Sequence, residues 1–196
     1  FLFSAPPDLY PFPLHDALPS FHRLTHKSDY SRQACAEPIT ILPDGSIPQV
    51  EITSCGLNGK PLHGTGTYPA VIACNITNGH MPHGSNKIYT DSFPNATHCG
   101  EDRFIGEIQD GTMLGYKYFA FSGAKEIGVQ YRGSCNGKFV VSDDMDGKNI
   151  VAEIPVAPAD AWTESRAPLH ISDGTHPLYL FYRGDGEAAV KELYLA

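Results

Sequence analysis

From Phe104 onward, apolar and polar residues alternate in short runs, each closed by Gly, Asp, Asn or Pro. The runs are Phe104–Ile108, Met113–Phe121, Glu126–Tyr131, Lys138–Ser142, Ile150–Val156, Ala167–Ile171, Leu178–Tyr182 and Val190–Leu195. A period of two sends successive side chains to opposite faces, the pattern of half-buried strands. In Lys138–Ser142, Phe139 and Val141 share one face. In Ala167–Ile171, Leu169 and Ile171 share a face and His170 takes the other. Nowhere does a 3.6-residue period run for the length of a helix. Short strands at regular spacing, separated by turn signals, predict an all-β chain with two sheets packed over one core. Tyr118, Phe119 and Phe121 are expected to line that core.

Upstream the pattern weakens. Tyr68–Cys74 reads as an edge strand with Pro69 near its start, and Asn75–Cys99 as loop. Further back, the strand-like runs Ser31–Ile41 and Ile47–Thr53 flank an Asp44-Gly45 turn, a hairpin signal. Cys55–Leu62 then reads as the end of that unit. Residues 1–20 hold five Pro and no sustained period, so they are expected to stay unpacked. They lack the basic start and unbroken apolar core of a signal peptide. The run Leu14–Pro19 resembles the translated end of a common sequencing adapter; the other reading is a Pro-rich linker. The expected division is therefore 1–20 unstructured, 21–62 a small β unit, 63–67 a linker and 68–196 a β-sandwich.

Charge and cysteine content narrow the chemistry. The net charge is −8 and the 14 Lys and Arg form no run, which excludes a nucleic-acid footprint. No apolar stretch reaches the length of a membrane-spanning helix. Five Cys at wide spacing, with no Cys-x-x-Cys, favour buried thiols over a zinc ribbon, and a Cys74–Cys99 pair stays open. His80, His83 and His98 with Cys74 and Cys99 are spaced too irregularly for zinc. Asn75-Ile76-Thr77 and Asn95-Ala96-Thr97 match the glycosylation acceptor pattern. The densest acidic cluster, Asp143-Asp144-Met145-Asp146-Gly147, sits between strand runs and reads as a turn.

Two family resemblances carry the function. His22-Arg23, Arg32 to Pro38, Asp44 to Ile47 and Glu51 to Thr53 resemble the last blade of a family 43 glycoside hydrolase propeller, over about a fifth of the chain. Ile108, Gly111, Tyr116, Trp162 and the stretch Gly174 to Phe181 resemble a family 6 carbohydrate-binding module. The implied fold is a jelly-roll β-sandwich preceded by a remnant of the last β-propeller blade. The implied parent is an inverting enzyme, an α-L-arabinofuranosidase or β-xylosidase, acting on plant polysaccharides. Such an enzyme needs an acid and a base flanking the scissile bond, and the family takes them from earlier blades. The chain alone is therefore expected not to catalyse, and its partners to be a polysaccharide or oligosaccharide and an N-terminal propeller. The alternative is a free-standing carbohydrate-binding or lectin-like module. The cellular compartment stays open.

The site residues follow from the same resemblances. Arg32 corresponds to an arginine that reaches the parent's sugar pocket, and His22 to a histidine near the propeller axis. Sugar binding in the module family uses two aromatic faces and an amide. Trp162, the only Trp, is the candidate stacking ring. It follows two prolines and is expected to begin a loop. Glu107 stands at the second aromatic position and Val190 at the amide position, so one of three contacts is retained. A structural calcium is implied by the family; its first-strand acid is absent and Glu192 stands near its last position. No catalytic residue is expected within the chain.

Overall fold

In a computed structural model of the chain, the residues described are 20–25, 28–79, 93–99 and 102–196. The expectation for residues 1–20, and His80 and His83, lie outside them, apart from the backbone of Ser20.

The strands run β1 Ser20–Thr25, β2 Ser28–Ala36, β3 Leu62–His63, β4 Gly66–Pro69, β5 Asn75–Thr77, β6 Asn95–Cys99 and β7 Asp102–Ile108. They continue as β8 Met113–Phe121, β9 Glu126–Gly133, β10 Asn136–Ser142, β11 Ile150–Val156, β12 Ala159–Pro168, β13 Gly174–Asp185 and β14 Ala188–Leu195. Two short 3₁₀ turns, Gly56–Asn58 and Ala70–Ile72, are the helical elements among the described residues.

Two sheets face each other. One has the order β11-β10-β13-β8-β3, with β5 also on β8; the other has β12-β9-β14-β7-β6, with β4 also on β14. Except for β3, which pairs parallel, the pairs are antiparallel. Alternation puts Phe119, Phe139, Val141, Ile127, Val129, Leu178, Leu180 and Leu193 fully inside. At roughly 1.5–3 kcal/mol for each large apolar side chain removed from water, this layer supplies the bulk of the driving force. The buried tyrosines keep their hydroxyls satisfied: Tyr116 donates to the Ala70 carbonyl at 3.1 Å, and Tyr131 accepts from the Ala157 N–H at 3.2 Å.

Several boundaries differ from the sequence reading. The stretch read as a linker, 63–67, is drawn into the sandwich margins, His63 pairing with Ala120 and Thr67 with Tyr194. Tyr68–Pro69 is strand, but Ala70–Ile72 coils into a 3₁₀ turn, which drops the Val71 side chain into the core. Tyr118 is half-buried, because it faces outward from β8, whereas Phe119 and Phe121 are core.

The Asp44-Gly45 turn forms, with Leu42 and Ser46 hydrogen-bonded across it. Of its flanks, Ser31–Ala36 is strand, as part of β2, whereas 37–42 and 47–53 are not. Pro38, Pro43 and Pro48 remove donors from any ladder there. The loop is closed instead by Glu37, whose buried carboxylate accepts the Thr53 N–H at 2.7 Å and the Thr53 hydroxyl at 3.1 Å.

Candidate functional site

A polar cleft opens at one end of the β12-β9-β14-β7-β6 sheet, where three strands break register together. Between Ile105 and Ile108, β7 carries one more residue than the facing Val190–Ala188 of β14. Between Ala159 and Thr163, β12 carries two more than the facing stretch of β9. Past Val190, β14 carries one more than β9. Bulges of this kind bend the strand and re-aim a side chain.

The β7 bulge aims Glu107. Its φ is 57°, the one positive value at a non-glycine residue among those described. That left-handed backbone is uncommon for Glu and is retained where the surroundings hold it. Beside it the wall is kept low by Gly106, Ala188 and Ala189. Gly133 has φ 132° and lies so close to the Glu187 carbonyl that a Cβ would strike it. The resulting cleft encloses about 510 Å³ and is lined by Glu107, Arg132, Asp160, Glu187, Asn95 and Ser134.

Trp162 stands next to this cleft, on β12 rather than in a loop. The prolines before it end at Pro158, and the bulge lets the strand continue past them. Its ring is half-buried and engaged: the Arg132 guanidinium lies 4.4 Å from the ring centroid, and Phe104 packs edge-on at 5.5 Å. The Lys191 ammonium lies 5.5 Å from the same centroid and bonds Asp102 at 2.6 Å. The Asp102 carboxyl is held below its ordinary range first by that Lys191 bond, then by the Arg132 charge and the nearby indole. The indole nitrogen is buried, and no acceptor meets hydrogen-bond geometry with it. Val190 is wholly buried and contributes nothing to the cleft.

The other candidates lie elsewhere. His22 pairs with Ala34, and Arg32 with Leu24, across the β1–β2 ribbon; their side chains lie outside the described residues. The Asp143–Gly147 cluster is a turn. Asp144 accepts the Asn149 and Lys148 N–H groups and the Ser142 hydroxyl, and those bonds, the Asn149 bond foremost, lower its pKa. Glu192 accepts the Tyr194 hydroxyl at 2.8 Å, and no group of three or more His, Cys, Asp or Glu among the described residues could hold a metal. Cys35, Cys55, Cys74 and Cys135 are free thiols; Cys99, on which a Cys74 pair would rest, has no described side chain.

A second constellation ties the segment before the sandwich to β8. Ser54 donates its N–H to the Lys117 carbonyl and accepts the Lys117 N–H on its hydroxyl. The Cys55 thiol sits against the carbonyls of Lys117 and Tyr118. Glu51 accepts from Lys117 Nζ at 2.9 Å and from the Tyr118 hydroxyl at 3.0 Å. The Lys117 bond holds the Glu51 carboxyl below its ordinary range. Sequence reading did not single out Arg132, Phe104 or Lys117. The glycines flanking the bulges, Gly106 and Gly133, were the signal available.

No family model matches the chain. A protein named xylosidase/arabinosidase from Thermoclostridium stercorarium is 42% identical over 188 residues, covering 89% of this chain. The chain spans 38% of that relative's length. Among solved structures, a family 6 carbohydrate-binding module from Clostridium cellulolyticum, in complex with xylose, superposes with a TM-score of 0.57 at 15% identity. It covers 68% of this chain and 98% of that module. The sandwich has the family 6 carbohydrate-binding-module fold. A family 43 arabinoxylan arabinofuranohydrolase from Bacillus subtilis superposes with a TM-score of 0.54 at 17% identity, over 84% of this chain and 34% of its own. The fold it shares with this chain thus reaches beyond the family 6 sandwich.

Proposed function

We propose that the chain is a non-catalytic, glycan-binding accessory part of a glycoside hydrolase acting on arabinose- and xylose-containing plant polysaccharides. The observation that carries this reading is the 42% identity to a protein named xylosidase/arabinosidase, joined to a family 6 sandwich. The parent activity is that of an α-L-arabinofuranosidase or β-xylosidase, and its acid and base belong to a propeller domain.

The segment before the sandwich supports the accessory reading over a free-standing module. It is bonded to β8 through Glu51, Ser54 and Cys55. It also concentrates exposed apolar surface: Leu42 is 40%, Ile47 55%, Ile52 47% and Leu57 61% exposed. Apolar faces of this kind mark protein contact. Ile52 and Leu57 border an apolar groove of about 720 Å³ shared with Val71 and Ile72. The remaining propeller blades are its proposed occupant.

The test has two arms. Purified chain should release no aglycone from aryl arabinofuranosides or aryl xylosides. It should be depleted from solution by insoluble arabinoxylan. Turnover abolished by changing one of its own carboxylates, or no depletion, would contradict the reading.

A further inference from the structure

Beyond the glycan-module reading, we propose that Ser172, His176 and Asp143 form an acyl-transfer site that cleaves esters of short carboxylic acids. Ser172 is the nucleophile and His176 its general base. Asp143 is the positioning residue that orients the imidazole.

Two partners meet His176 on opposite ring nitrogens. The Ser172 hydroxyl lies 3.2 Å from Nε2, and an Asp143 carboxylate oxygen lies 3.9 Å from Nδ1. A hydroxyl nucleophile needs this order of roles: a base within hydrogen-bond reach, and a third group that orients the base. Such contacts tighten when substrate binds. The three residues come from separate parts of the fold. His176 stands early on β13, where β8 carries one more residue between the pairs His176–Phe119 and Leu178–Tyr116. Bulges re-aim side chains and are over-represented beside active sites. Asp143 opens the turn after β10, and Asn149 Nδ2 donates to its carboxylate at 2.7 Å. Ser172 lies between β12 and β13 in a loop anchored on both sides. There the His170 N–H donates to the Val151 carbonyl at 2.8 Å, and Asp173 accepts the Gly123 N–H at 2.7 Å.

Exposure suits the same roles. Ser172 is exposed, whereas the side chains of His176 and Asp143 are 25% and 19% exposed. Phe121 packs beside the imidazole, its ring centroid 6.3 Å away. A Cβ on Gly174 would come within 3.3 Å of Nε2, so the glycine keeps the approach to that nitrogen open. Ser172 Oγ attacks the ester carbonyl carbon as its proton passes to Nε2. The resulting imidazolium faces Asp143 and gives that proton to the departing alkoxide, leaving acyl-Ser172 and an alcohol. Water, deprotonated by Nε2, then attacks the acyl carbon. The carboxylic acid leaves and Oγ recovers its proton. An exposed nucleophile with one aromatic neighbour fits a short acyl group, since a long chain would need an apolar channel.

Hydrolysis of p-nitrophenyl acetate by the full chain tests this, with peptide mass mapping of acid-quenched samples. Wild type should turn over, and quenched protein should carry acetyl on Ser172. Ser172→Ala and His176→Gln should each lower kcat/KM about hundredfold or more, the scale of a positioned base. Asp143→Asn should lower kcat and leave KM unchanged, which separates orienting the imidazole from holding the substrate. His170→Gln removes an exposed imidazole outside the constellation and should act like wild type. Thermal melts check folding. Ser172→Ala deletes one exposed hydroxyl and keeps the test decisive if His176→Gln does not fold. No turnover by wild type, turnover that survives Ser172→Ala, or acetyl found on a lysine or tyrosine in place of Ser172 would overturn the inference. None of these results bears on glycan binding, which arabinoxylan depletion judges separately.

Discussion

The Arg132 guanidinium lies 4.4 Å from the centroid of the Trp162 ring, so the chain's only tryptophan supports a cation at the edge of a cleft. That contact gives Trp162 a structural task that can be measured without any ligand. Trp162→Ala removes a cation–ring contact and an edge-on pair with Phe104. Together these are worth about 1–3 kcal/mol. Equilibrium urea unfolding should show that loss, and Trp162→Phe should restore most of it. An unchanged unfolding midpoint for Trp162→Ala would mean the contact carries no stability.

Glu37 holds the loop of residues 38–53 closed from inside. Glu37 is 4% exposed, and its carboxylate accepts both the N–H and the hydroxyl of Thr53. Glu37→Ala leaves a donor without its acceptor, at a cost of about 1–3 kcal/mol. Amide exchange of Thr53 should accelerate markedly in the variant, while amides of β8 and β13 keep their protection. Equal acceleration everywhere would show that the loop and sandwich unfold as one unit.

The attachment of this segment to β8 should depend on pH. Glu51 has its folded pKa lowered, chiefly by the Lys117 hydrogen bond. A depressed carboxyl adds stability above its unfolded pKa and loses it as pH falls through the folded value. Wild type should therefore out-melt Glu51→Gln near about pH 7, and the gap should close toward about pH 3. The pair is partly exposed, so the difference stays below about 1 kcal/mol. A gap that widens on acidification would reverse the assignment.

Gly133, at the end of β9, leaves no room for a Cβ against the Glu187 carbonyl just before β14. Gly133→Ala meets both a left-handed φ and the Glu187 carbonyl. The variant should lose stability by about 1 kcal/mol or more and open the cleft geometry. Gly123→Ala, at positive φ with open space around its Cβ, supplies the control that isolates the collision from the backbone cost.

The strands most legible from sequence were those closed at both ends by turn residues. Met113–Phe121 and Ile150–Val156 match the expected ends because Asp, Gly, Asn or Pro residues bound them. The miss at β12 has a physical cause. Ala159–Pro168 is an edge strand with one buried residue, Ala167, and a bulge that breaks its period. Of the β1–β2 ribbon, β2 was read in part, as the start of the Ser31–Ile41 run, whereas β1 was not, because its pairing depends on β2 and is not written in its own residues. The cleft was only partly legible. Glu107 and Trp162 could be located, but a bulge is a property of two strands, so the placing of Glu107 and Arg132 along one cleft cannot be seen in either strand alone. Asp143–Gly147 was legible as a turn because its Asp and Gly residues serve local backbone bonds.

The most direct test of the account is native electrophoresis of the full chain through gels with and without soluble arabinoxylan. A glycan-binding accessory module should be retarded in the arabinoxylan gel relative to the plain gel. Identical mobility of wild type in both gels would contradict the claim that this sandwich binds the polysaccharide.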